Sequence, residues 1–204
     1  MWWFYTIILG MSFGQVLEEL AKAVRDWSRE PAGRRPFLPA MLWQIFLLAL
    51  IIQVWLAVTY YRETVRQISI LELLAFLAVP VGILVMSFVL PDARPESRSG
   101  MSAAATFGRI RPIFFGVLIA MVAVNLLHGF LIGQQDLDFD LVFQCLIIAG
   151  AVVGLRLRNT VADSVLAAVM IAIVLTYIGV GYSSVNVSPE VAFESAPPVG
   201  GKLL

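Results

Sequence analysis

One histidine and a few carboxylates and carboxamides, set inside long apolar runs, are the side chains of this sequence with chemistry to offer. His128 is the sole histidine among 204 residues and the one side chain type that ordinarily titrates near neutrality. Glu72 and His128 each lie roughly five residues inside an apolar run, ~7 Å below the same boundary at ~1.5 Å per residue. That depth permits a proton-sensitive pair. Asn125 and Gln144 fall in the same half of their runs. Toward the other boundary lie Gln15, Glu18, Glu19 and Gln44, with Asp163 at the mouth of the last run. Gln15 and Glu18, at i and i+3, share one helical face.

A charged group at mid-bilayer costs ~2.5–3.5 kcal/mol, so each embedded one calls for a reason. Function is one reason and geometry is another. At shallow depth a side chain reaches interfacial water, and Glu18 and Glu19 can pair with Lys22 one turn later. The sequence leaves both readings open.

Enzyme chemistry finds no footing, and no enzymatic activity is expected. There is no HExxH, no GxSxG and no Gly-rich phosphate loop. The one His and one Cys, His128 and Cys145, are far apart and give no nucleophile–base pair. Cys145 has no second cysteine to bridge to, and no metal-ligand spacing occurs. No cofactor, no metal and no nucleic-acid partner is expected.

The elements that must position these groups are membrane spans. Hydrophobic residues make up 60% of the chain, against ~45–50% for a soluble domain even with Gly included. Six runs approach the ~20 residues that cross a ~30 Å hydrocarbon core. They cover about residues 2–20, 39–60, 68–90, 112–132, 141–157 and 161–182. The expected fold is an all-α polytopic helical bundle, one transmembrane domain over residues 1–182, with a disordered outside tail over 183–204. The N-terminus lacks a basic leader and cleavage site, so the first run reads as a retained span. That span extends into an amphipathic stretch in which Val16, Leu17, Leu20, Val24 and Trp27 recur at helical spacing. Pro80 falls inside the third run. Residues 91–110, rich in Pro, Ser, Gly and Arg, read as a mobile loop. Trp43 and Trp55 read as packing or interfacial residues.

Charge sets the orientation. Of 14 Lys and Arg residues, Lys22, Arg25, Arg29, Arg34, Arg35, Arg94, Arg98, Arg109, Arg111, Arg156 and Arg158 fall in alternate connections. Arg62, Arg66 and Lys202 lie on the other side, with Asp136, Asp138 and Asp140. The positive-inside rule then puts both termini outside, as an even number of spans requires.

The two halves share a faint likeness. FYTIILGMSFGQVLEEL from Phe4 aligns without gaps on FFGVLIAMVAVNLLHGF from Phe114, Gln44 matches Gln144, and RETV from Arg62 matches RNTV from Arg158. Three spans per half would make the repeats inverted, a transporter device; chance alignment of apolar helices is the alternative. Gly10–Gly14, Gly129–Gly133 and Gly150–Gly154 are small-xxx-small patterns that permit close helix approach, read here as internal packing.

The stretch LGMSFGQVLEELAKAV, the pattern Leu42-Trp43-Gln44 with Gln53-Val54-Trp55, and Leu90-Pro91-Asp92 together resemble an uncharacterised group of six-span bacterial membrane proteins. The resemblance covers the first half by motif and the second by hydropathy. It implies a bacterial inner membrane and a helical bundle, and carries no activity or site residue. The expected function is therefore a small secondary transporter or channel-like protein for an ion or small solute. A homo-oligomer is expected, because six short spans wall a pathway thinly. The alternative is a scaffold that binds lipid headgroups or a cytoplasmic protein partner through residues 22–36 and 91–111.

Overall fold

In a computed structural model, residues 2–29, 37–64, 70–90, 103–132 and 139–182 are described. They form six helices: α1 (Trp2–Arg29), α2 (Leu38–Thr64), α3 (Ile70–Val89), α4 (Ala103–Ile132), α5 (Phe139–Arg156) and α6 (Thr160–Gly181), with no strand among the described residues. The expected tail over 183–204 and most of the expected 91–110 loop lie outside them.

Five helices, α2 to α6, are long and apolar enough to cross a bilayer. The chain is thus a helical, multi-pass, membrane-embedded protein, and its exterior fits that solvent. Ile70, Leu127, Phe88, Phe130, Val161 and Val180 are all exposed, which water would penalise and hydrocarbon does not. α1 has 28 residues but falls short on apolarity. Its second half carries Gln15, Glu18, Glu19, Lys22, Arg25, Asp26 and Arg29, which dilute the apolar first half.

The sequence places the fourth element too late. Residues 103–110, expected in a mobile loop, are helical, and α4 runs through Arg111 and Pro112. Pro112 removes one rung of the ladder without ending the helix. Pro80 is likewise internal to α3. α6 starts where its sequence says, with the Asn159 side chain accepting from the Val161 N–H at 2.9 Å, an N-cap.

The packing of the helices forms a ring. α1 packs on α2 and α3, α2 on α6, α6 on α5, α5 on α4 and α4 on α3, with α2 also reaching α3. Around this ring the first half pairs α1 with both its partners, whereas the main neighbours of α4 are α3 and α5. Among the described residues the packing therefore does not confirm the two-fold relation that inverted halves would impose.

The glycine patterns divide. Gly150 and Gly154 are sites of close approach: a Cβ on the first would collide with Met170 of α6, and on the second with the Phe115 ring of α4. α5 is thereby wedged between its neighbours. Gly10 and Gly14 face open space instead, so they do not serve internal packing. The reason is that the α1 face bearing them, with Phe4, Ile7 and Met11, points away from the core.

Candidate functional site

Polar groups gather at the two ends of the bundle, and the two gatherings differ in kind. At the end where α2, α4 and α6 begin, the interior is sealed. Trp43, Phe114 and Phe115 are fully buried, with the Trp43 ring edge-on to Phe114, Phe115 and Phe46 at 5.6, 4.9 and 5.4 Å. Such edge-to-face geometry suits the ring quadrupoles and leaves little space.

Into this layer α4 sends Arg111 and α6 sends Asp163. Their Nη2 and Oδ2 atoms are 2.5 Å apart, with side-chain exposures of 11% and 0%. The Trp43 Nε1–H points at the other carboxylate oxygen from 3.5 Å. Arg111 Nη1 donates to the Gly154 carbonyl at 3.1 Å and also to that of Leu157. Those carbonyls belong to the end of α5, where a helix leaves its last acceptors without N–H partners. The guanidinium also lies 5.0 Å from the Phe107 ring centroid, one turn earlier on α4, within cation–π range. One arginine thus ties α4 to α5 and α6. Counted by sequence among the loop arginines, Arg111 is instead an interior group.

At the other end is a cavity of about 280 Å³. All six helices contribute to its wall, including Tyr5 of α1, Gln53 of α2, Phe76 of α3, His128 of α4, Gln144 of α5 and Tyr177 of α6. Asp140, in the first turn of α5, sits where the helix dipole favours a carboxylate. It accepts from Gln144 Nε2 at 2.7 Å and from the Tyr177 hydroxyl at 2.7 Å. Tyr177 stacks on Phe143, centroids 4.0 Å apart, and on Phe139 at 5.5 Å. Two polar atoms are buried here without a partner among the described residues, Gln144 Oε1 and His128 Nε2.

The residues singled out by sequence distribute as follows. His128, Asn125 and Gln144 all line the cavity. Glu72, partly buried in the first turn of α3, does not. Gln44 is buried beside Trp43, and both its amide atoms lack partners among the described residues. It lies nine positions before Gln53, about 14 Å along the helix, so it belongs to the closed layer and is not among the residues that line the cavity. Gln15 is half-buried on α1. Glu18 and Glu19 both hold the Lys22 ammonium, at 2.6 and 2.7 Å. Those hydrogen bonds raise Lys22 above its ordinary value.

Sequence reading missed Asp140, Tyr177 and Arg111 as site residues. The signal for Asp140 and Gln144 was their spacing of four at the start of a helix, which brings a donor under a carboxylate. No group of three or more His, Cys, Asp or Glu side chains converges as a metal site among the described residues. Comparison with protein-family models, curated proteins and solved structures returned no match.

Proposed function

We propose that this chain is a small secondary transporter or channel-like protein that admits an ion or small solute to the cavity between its six helices. The carrying observation is the asymmetry of the bundle interior: a largely apolar cavity of about 280 Å³ that presents Gln53, Asn125, His128, Asp140 and Gln144 at one end, and a layer closed by Trp43, Phe115 and the Arg111–Asp163 pair at the other. A pathway held shut on one side is what alternating access or gating requires. Gln44, buried in the closed layer beside Trp43, has both amide atoms without a partner among the described residues.

In this reading α1 completes a six-span bundle in a bacterial inner membrane. Both termini are outside and the Arg111–Asp163 layer faces the cytoplasm, following the positive-inside bias. The three-span repeat is not needed for it. The scaffold alternative loses two of its basic groups, because Arg111 is turned into the bundle and Lys22 is engaged by Glu18 and Glu19.

The test is reconstitution of the full chain into liposomes, with flux of inorganic ions and small neutral, anionic and cationic solutes followed against empty vesicles. Flux above that background is expected, with Trp43→Ala raising leak through the thinned layer. A protein that moves none of these solutes, in both wild-type and Trp43→Ala form, removes the reading.

A further inference from the structure

The cavity also constrains the chemistry of what enters it, if the transport reading of the cavity is correct. Gln144 lines it, is 5% exposed, and has its amide orientation fixed by its neighbour. An ionised carboxylate can only accept, so the Gln144 atom 2.7 Å from Asp140 is the donating Nε2. Oε1 therefore points elsewhere as an acceptor, buried and without a partner among the described residues. Tyr177 likewise commits its hydroxyl proton to Asp140 and offers its ring, stacked on Phe143. Asp140 takes the Gln144 and Tyr177 donors, and Gln144 Oε1 is left beside it as a buried acceptor, on a wall that also carries Gln53, Asn125, His128 and Tyr182. No Lys or Arg is among the described residues that line the cavity.

We infer that the cavity binds a primary ammonium group. Its N–H bonds to Gln144 Oε1, and its charge lies beside the Phe143–Tyr177 stack, with the Asp140 carboxylate one hydrogen bond behind. His128 Nε2, buried and without a partner among the described residues, lies on the same wall from α4. A carboxylate ligand finds no lysine or arginine on this wall. A neutral alcohol satisfies Oε1 but gains nothing from the rings or from Asp140. The ammonium group belongs either to a free amine or to an aminophospholipid headgroup.

Calorimetric titration of the full chain in phosphatidylcholine nanodiscs tests this with n-butylammonium, 1-butanol and butyrate. Saturable binding of butylammonium is expected, at least tenfold tighter than of either competitor. Gln144→Leu weakens it at least tenfold. Tyr177→Leu weakens it at least fivefold, while Tyr177→Phe, which keeps the ring, stays within threefold of wild type. The inference is overturned if butylammonium does not bind saturably, if butyrate or butanol binds as well, or if Gln144→Leu and Tyr177→Leu both bind as wild type does. Nanodiscs containing phosphatidylethanolamine then separate the sources: competition assigns the site to a headgroup, its absence to a free amine, and either keeps the ammonium site. Butylammonium binding without flux would keep this inference and remove transport. Flux of a solute that is not an amine, without butylammonium binding, would do the reverse.

Discussion

The Arg111 guanidinium and the Asp163 carboxylate, 52 residues apart in sequence, meet at 2.5 Å inside the bundle. Arg111 holds the end of α5 by two carbonyls with the same side chain. The pair is therefore both an electrostatic bond and a mechanical tie among three helices that otherwise pack through small and apolar residues.

Removing either partner alone strands a buried charge. Arg111→Met and Asp163→Leu are each expected to destabilise the bundle by about 3–5 kcal/mol, whereas the double variant costs less than the sum because no charge is left unpaired. Arg111→Met is the worse single change, since the Gly154 and Leu157 carbonyls also lose their donor. Denaturant unfolding in mixed micelles, run as a double-mutant cycle, measures this. Additive single effects would show that the contact contributes nothing.

Gly154 and Gly150 should respond unequally to alanine. At Gly154 the added methyl meets the Phe115 ring, which is backed by Trp43 and Phe114 and cannot move aside. At Gly150 it meets the sulfur end of the flexible Met170 side chain. Gly154→Ala is expected to cost about 1–3 kcal/mol and Gly150→Ala less than about 1 kcal/mol. Thermal unfolding of the two variants ranks them, and the opposite order would refute the packing described.

How much of this was legible in the sequence follows from the range of each signal. Hydropathy is a sum over about 20 neighbours, so five of the six runs emerged as helices able to cross a bilayer. α1 sits at the margin because polar residues share its helix with the apolar ones. The register of α4 was lost because Pro112 reads as a helix start, while in the structure it is one missing rung inside a helix begun at Ala103. That error hid Arg111, which looked like one more loop arginine. Depth along a span is linear in residue number, so His128, Asn125 and Gln144 could be grouped from sequence alone. Rotation about the helix axis carries no such signal in apolar helices, and it decides that His128 lines the cavity and Glu72 does not.

Glu18 and Glu19 both serve as counter-ions to Lys22. Lys22 titrates above its ordinary value because both carboxylates accept from it. A raised lysine contributes stability that is fully present below its unfolded value of 10.5 and fades as pH rises beyond it. Glu18→Gln and Glu19→Gln together are expected to return Lys22 toward 10.5, to flatten that alkaline loss, and to leave flux at neutral pH unchanged. NMR titration of the lysine and liposome flux check the two parts separately.

His128 and Glu72, placed at one depth by the sequence, are expected to part company in function. His128 presents a buried ring nitrogen to the cavity wall. Replacing it by Leu keeps the volume and removes the ring nitrogen, so solute affinity should fall by about tenfold, the worth of one hydrogen bond of about 1–1.5 kcal/mol. Glu72 stands in the first turn of α3, away from the cavity lining, and Glu72→Gln keeps its shape and hydrogen-bonding reach. It is expected to alter flux by less than about twofold, well under the ~1.4 kcal/mol that a tenfold change represents. Concentration dependence of flux in liposomes separates the two, with folding checked by the thermal transition of each variant. Equal losses in Glu72→Gln and His128→Leu would restore a coupled acid–base pair and displace the cavity wall as the place where solute is recognised.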